Sequence, residues 1–312
     1  MKCVDAVVAR LPKALSAGAC FAVVAPAGPA RLDVEKAREW FVRRGYTCRF
    51  YPSVQQADGY LAGSDAQRVQ DLHDAFADPG IDAILSMRGG YGSMRMLDQL
   101  DFDLIRGHPK PLIGYSDITA LHTTLQRHTG LITFHGAMLN ADLLGGKAQP
   151  TESSLLAQLS GQVGAGAEIA HPSQWPLTTV TAGVGSGVLR GGNLSMLGAT
   201  MSTLGEVDLT GSILFIEDVN EPLYRVDRLL TQLRLAGKLD GVKGVLVGDF
   251  AGISVAAMTP LLRAIFGPLN IPVLAGWRSG HCDPNLCLPL GAQVQLDSTA
   301  KRLVLEQGLF AA

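Results

Sequence analysis

The chain has 312 residues, with 26 Lys plus Arg against 28 Asp plus Glu and a formal charge of −2. That near-balance speaks against a dedicated binder of nucleic acid or of an anionic membrane surface, which carries a basic surplus or stripe. Apolar residues make up 47% and charged residues 17%, which excludes global disorder and provides core for one large or two ordinary domains.

Residues 21–25 (Phe-Ala-Val-Val-Ala) are a predicted buried strand, ended by Pro26 and Gly28. A helix follows, with Val34, Ala37 and Phe41 on one face and Gly45 as its stop, then a strand at 48–51. Ser64 and Gln67 have capping-box spacing before a helix carrying Val69, Leu72, Ala75 and Phe76. Asp78-Pro79-Gly80 ends it, and a third strand is expected at 82–87. The run Arg88-Gly89-Gly90-Tyr91-Gly92 then leads into a helix. A fourth strand at 111–115 runs straight into a helix with Ile118, Leu121 and Leu125. This alternation predicts an open parallel sheet with helices on both faces, an α/β fold. Residues 141–180, rich in Gly, Ser, Gln, Thr and Pro, read as a connection with a short helix near 155–159. A second unit is expected beyond it, with strands at 212–216, 242–247, 271–275, 293–296 and 303–306. Its clear helix covers 223–236, with Val226, Leu229, Leu230 and Leu233 inward and Gly237 as the stop. The expected division is 1–145, a linker at 146–180, and 181–312.

No stretch reads as a membrane span, because the longest uncharged run near the start, residues 14–30, holds Gly18, Pro26, Gly28 and Pro29. The first twenty residues resemble a secretory signal only superficially, since Asp5, Arg10 and Lys13 interrupt the apolar segment. The five cysteines (Cys3, Cys20, Cys48, Cys282 and Cys287) are scattered and form no C-x-x-C pair. They read as reduced thiols of a cytoplasmic protein.

Four segments carry candidate chemistry. In Gly114-Tyr115-Ser116-Asp117 a serine stands on a sharp strand-to-helix turn, where its hydroxyl is exposed and free backbone N–H groups face a developing oxyanion. The plain alternative is that Ser116 is an N-cap. The second segment, 213–222, is an apolar strand ending at Glu217, with Asp218 and Glu221 beyond. A carboxylate there is placed to orient a histidine; the alternatives are a solvated acidic turn or a metal site, for which no His or Cys ligands lie nearby. Third, His281 sits in a loop of Gly280, Pro284 and Asn285 and suits general-base work, or is merely an exposed loop histidine. Fourth, Gly90 in the glycine run can lend a backbone N–H to an oxyanion hole, or be part of an ordinary turn; the run fits no phosphate-loop pattern. Taken together, the order Ser, Glu, His is one that acyl-transfer triads on α/β scaffolds adopt.

The stretches VVAPAGPA, SMRGGYGSMRML, IGYSDITALH, LRGGNLSML, ILFIEDVNEPLYRVDRLLTQL and GHCDPNLCLPLG, in that order, resemble the LD-carboxypeptidase (muramoyltetrapeptide carboxypeptidase) family of serine peptidases. The resemblance implies Ser116 as nucleophile, His281 as base and Glu217 as its support. It implies a flavodoxin-like or class-I-glutamine-amidotransferase-like N-terminal domain and a swivelling β-rich C-terminal domain, with the site in the groove between them. The implied substrate is a murein tetrapeptide cut before its terminal D-alanine, without cofactor or metal and without nucleic-acid or membrane partners, by a homodimer. The backbones of Asp117 and Gly90 are the expected oxyanion donors. Arg88, Arg190 and Arg225 are candidates for the substrate carboxylate. Three other readings stay open: a microcin-immunity-type peptidase with Trp175 as nucleobase platform, a non-catalytic binding module, and a cysteine hydrolase using Cys282.

Overall fold

The structure, a computed structural model, describes residues 9–311. Cys3 and Asp5, and with them part of the expectation about the N-terminal stretch, lie outside the described residues. The first half of the chain forms β1 (Cys20–Val24), β2 (Thr47–Phe50), β3 (Ala83–Ser86), β4 (Leu112–Gly114) and β5 (Thr133–His135). The second half forms β6 (Thr178–Thr181), β7 (Val184–Asn193), β8 (Ser212–Val219), β9 (Gly244–Ala251), β10 (Val273–Ala275), β11 (Leu288–Leu290), β12 (Gln293–Asp297) and β13 (Arg302–Leu305). The principal helices are α1 (Val34–Val42), α2 (Asp65–Ala77), α3 (Phe102–Gly107), α4 (Thr119–Thr129), α5 (Thr151–Leu159), α6 (Leu194–Ala199), α7 (Leu223–Leu235) and α8 (Val255–Phe266).

Two sheets result, one for each of two domains. The first has the order β11-β5-β4-β3-β1-β2, parallel from β5 to β2. The second has the order β13-β12-β7-β8-β9-β10-β6, with a parallel centre and antiparallel edges. The expected parallel N-terminal sheet and β-rich C-terminal domain are both present. Residues 288–290 belong to the second unit by position, yet they pair antiparallel with β5 and complete the first sheet.

Alternation along each strand sorts the core into layers. Ala22, Val24 and Ile84 face Leu72, Leu121 and Leu125 of α2 and α4. Phe21, Val23, Leu85, Ile113 and Phe134 face the other way and share a core with Ile213, Phe215, Leu246 and Leu290, so the two sheets are joined by buried apolar contact. Leu214, Ile216 and Val245 point away from that seam, toward Val226, Leu230 and Leu262 of α7 and α8. Truncating a fully buried aromatic such as Phe215 at the seam costs about 3–5 kcal/mol.

The strand order reverses between β1 and β3, with β2 lying on one side and β3 on the other. In open α/β sheets the crevice beyond the carboxyl ends of strands at such a point is where ligands bind. The loops leaving β1 and β3 meet there, as Gly28 N–H donates to the Gly89 carbonyl at 3.1 Å.

Candidate active site

Ser116 follows β4 and opens a 3-10 turn, Ser116–Ile118, that continues into α4. It is the one residue between 111 and 126 that is not buried. Its φ is 65°, in the left-handed region that a non-glycine residue adopts only when its surroundings enforce it. Two glycines make the turn possible. A Cβ built on Gly114 would stand 2.9 Å from Ile118 Cγ1, and one built on Gly89 would stand 3.0 Å from Ser116 Cβ. Asp117 is held below: its carboxylate accepts the Ser93 N–H at 2.8 Å and its carbonyl accepts the Ser93 hydroxyl at 2.5 Å. Burial raises the Asp117 carboxyl pKa, and the Ser93 hydrogen bonds oppose that rise.

Glu217 lies on β8 and is fully buried. Its Oε2 accepts from His281 Nδ1 at 2.7 Å and from the His281 backbone N–H at 3.3 Å. His281 Nε2 lies 3.1 Å from Ser116 Oγ. Residues 116, 217 and 281 therefore form one hydrogen-bonded row. Burial alone would lower the His281 pKa; the hydrogen bond and charge of Glu217 outweigh it and raise the pKa above the usual imidazole value. Burial pushes the Glu217 carboxyl up, against the His281 hydrogen bond. A side chain at Gly280 would collide with Glu217 Oε2, so the loop must be glycine at that position (φ 112°).

The histidine loop is clamped from outside. Gly280 N–H donates to Asn285 Oδ1 at 2.9 Å, and Asn285 N–H donates to Thr151 Oγ1 at 2.9 Å. Cys287 N–H donates to Ser154 Oγ at 3.0 Å. Thr151 and Ser154 both belong to α5, which begins four residues before the short helix expected near 155–159 in the connection. Beneath the row, Tyr115 sets its ring edge-on to His281 with centroids 4.9 Å apart, and its hydroxyl donates to Asp142 Oδ1 at 3.1 Å. Lys147 Nζ lies 2.7 Å from the same carboxylate oxygen. Spacing along the chain gives no signal for these supports, although the aromatic residue beside Ser116 invites the question of what it packs against.

Ser116 and His281 line a cleft of about 320 Å³ with Arg88, Gly89, Gly90 and Tyr115. Arg88 Nη1 donates to the Pro29 carbonyl at 3.0 Å. The other two arginines lie elsewhere. Arg190 pairs with Asp208 at 3.3 Å, and Arg225 pairs with Glu221 at 2.7 Å in a separate groove along α6 and α7. Neither lines the cleft, because nearby carboxylates on their own domain hold them. Asp218 is taken up as an acceptor from Asn193 Nδ2, the Ser195 N–H and hydroxyl, and the Val219 N–H, at 2.6–2.9 Å. Cys20, Cys48, Cys282 and Cys287 are free thiols. The Cys282 thiol donates to the Pro284 carbonyl, and burial pushes its pKa up to about 12, which disfavours a thiolate. Trp175 is half-buried, lines another cavity beside Gly248 and Asp249, and carries the Arg278 guanidinium 5.6 Å from its ring centroid. Among the described residues no helix is long and apolar enough to cross a membrane.

The LD-carboxypeptidase N-terminal domain matches residues 21–136, and the LD-carboxypeptidase C-terminal domain matches residues 186–296. The "Probable murein peptide carboxypeptidase" of Bacillus subtilis (strain 168) is 37% identical over 308 residues, covering 96% of this chain and 95% of that protein. The microcin C7 self-immunity protein MccF of Escherichia coli is 30% identical over 301 residues, covering 86% of each. Among solved structures, an MccF-like protein from Bacillus anthracis superposes with a TM-score of 0.88 at 27% identity, over 96% of this chain and 100% of that one. The chain belongs to the LD-carboxypeptidase family of serine peptidases.

Proposed function

We propose that the protein is a carboxypeptidase that hydrolyses the bond between the L-centre of meso-diaminopimelate and the terminal D-alanine of murein tetrapeptides. The observation that carries this reading is the row of Ser116 Oγ, His281 and Glu217 at 3.1 and 2.7 Å, opening into a cleft. His281 takes the Ser116 proton through Nε2, and Ser116 Oγ attacks the scissile carbonyl. The N–H groups of Asp117 and Gly90 receive the oxyanion. His281 then gives its proton to the departing amine of D-alanine, and water, deprotonated by the same imidazole, frees the acyl group. Glu217 holds the imidazole in the tautomer with Nδ1–H and stabilises its cation.

Arg88 is the arginine we assign to the terminal carboxylate, since its guanidinium stands in the cleft wall and, among the described residues, makes one hydrogen bond, to the Pro29 carbonyl. Functionally we divide the chain into a nucleophile unit (1–145), a connection (146–180) and a unit supplying acid and base (181–312). In this reading the enzyme recycles wall peptides in the cytoplasm as a homodimer and does not engage nucleic acid.

Hydrolysis of peptide-nucleotide antibiotics is the second reading, favoured by the likeness to the microcin self-immunity protein. Against it, one face of Trp175 already carries the Arg278 guanidinium, 5.6 Å from the ring centroid. Side-by-side turnover of disaccharide-tetrapeptide and of an aminoacyl-sulfamoyl adenosine decides between the two. The murein reading expects release of D-alanine at a kcat/KM at least tenfold above that for the nucleoside, and the reverse order overturns it.

A further inference from the structure

Tyr60 and Tyr91 stand together in solvent at the edge of the cleft. Tyr60 is 65% and Tyr91 48% exposed, with ring centroids 5.6 Å apart and planes inclined at 61°. Exposed apolar groups that adjoin one another call for an explanation in a way that singly scattered ones do not. Tyr91 directly follows Gly90 of the cleft wall. The Tyr60 carbonyl lies 3.6 Å from a Cβ built on Gly28, and the Gly28 Cα lies 3.3 Å from one built on Gly90. Both tyrosines are thus fixed to the glycine junction that walls the cleft.

Their loops are stiff. Tyr60 sits in a tight turn in which Asp58 and Leu61 exchange backbone hydrogen bonds at 2.8 and 3.0 Å. Ala62 N–H then donates to the Ala27 carbonyl at 2.9 Å. On the other loop, the space where Gly92 lacks a Cβ is filled by Leu61 Cδ2 and Arg68 Nη1, each 2.7 Å from that position. Arg68 is itself buried and donates to the Pro26 carbonyl at 2.7 Å. Among the described residues no cation is seated over either ring, whereas the exposed Tyr224 has Arg228 at 5.5 Å. An uncovered aromatic ledge on a preformed backbone binds a ring with reduced ordering cost.

Resting on the murein reading, we propose that Tyr60 and Tyr91 form a saccharide subsite that receives the amino-sugar ring to which the stem peptide is attached. Three residues separate the scissile carbonyl from that sugar, an extended reach of about 10 Å, which carries the ring out of the cleft and past its wall. Two inclined rings suit a puckered pyranose, which presents C–H groups on more than one side. The phenol hydroxyls and nearby Arg95, paired with Asp65 at 2.8 Å, supply the polar rim that sugar hydroxyl and N-acetyl groups require.

The test compares kcat and KM for disaccharide-tetrapeptide and for free tetrapeptide in the wild type, Tyr60→Ala, Tyr91→Ala and the two Phe variants. The wild type should favour the sugar-bearing substrate, and each Ala variant should raise its KM about 3- to 10-fold with kcat kept. Free tetrapeptide should change less than twofold, and the Phe variants, which keep the rings, should retain the preference. Equal use of both substrates by the wild type overturns the subsite, as does an equal loss on both in the Ala variants. If the wild type hydrolyses neither substrate, the peptidase reading has failed instead. Titrating Ser116→Ala with disaccharide-tetrapeptide, with and without Tyr91→Ala, then reads the ledge alone: tyrosine-dependent binding supports it, and no such dependence overturns it.

Discussion

A Cβ built on Gly89 would stand 3.0 Å from Ser116 Cβ and 3.2 Å from Ser116 Oγ. The loop after β3 is thus pressed against the candidate nucleophile, and the missing side chain is what keeps Oγ within reach of His281. Gly89→Ala should lower kcat/KM by about 10²-fold, the scale for displacing a reacting atom by roughly 1 Å. Circular dichroism and a melting temperature within a few degrees of the wild type would locate the loss in the site. An alanine variant with full activity would show that the contact relaxes without moving Ser116.

In the proposed mechanism Glu217 sets the working pH. The base must be neutral to accept the Ser116 proton, and Glu217 raises the His281 pKa. The acid limb of kcat/KM therefore lies above the ordinary imidazole value of about 6.5, and activity rises with pH through it. Glu217→Gln removes the charge, so the residual activity should show its acid limb at lower pH, with kcat reduced by about 10³-fold or more. A pH-rate profile of both proteins checks this; an unmoved limb would assign it to another group.

Two buried histidines make the fold sensitive to acid. Burial lowers the His122 pKa to about 4 and holds that of His135 well below the usual value. The unfolded chain binds protons at these positions below about pH 6.5, whereas the folded chain does not. Their contribution to stability is therefore present above pH 6.5 and is lost as the pH falls toward the folded values, at about 1.4 kcal/mol per pH unit for each. His135→Phe, a ring placed beside Phe215 (centroids now 4.9 Å apart), should flatten that slope. Urea unfolding at pH 5 and pH 8 measures it, and an identical slope in the variant would contradict the assignment.

Much of the scaffold was legible in the sequence because it rests on burial. β1, β3, β4 and β8 are apolar runs bounded by Gly, Pro or charge, and α7 has one apolar stripe ending before Gly237. β7 was not legible, because residues 184–193 hold four glycines. Their absent side chains admit neighbouring backbone, such as the Phe215 carbonyl over Gly191, so close packing of strands removed the propensity signal. α8 was obscured by Pro260 in its middle, although Ser254 caps it at 3.2 Å. The candidate residues of the site were legible as types: a serine and a histidine on loops, and a glutamate where an apolar run ends, although β8 continues through it to Val219. What holds them was not, since Thr151, Ser154, Asp142 and β11 reach the site only through tertiary contacts.

In the proposed mechanism Ser116 Oγ performs the attack. The most direct measurement is kcat/KM for D-alanine release from disaccharide-tetrapeptide, followed by mass spectrometry, for the wild type and Ser116→Ala. A fall of about 10³-fold or more, with fold and substrate affinity retained, is the predicted result. Activity of the alanine variant within tenfold of the wild type would contradict it.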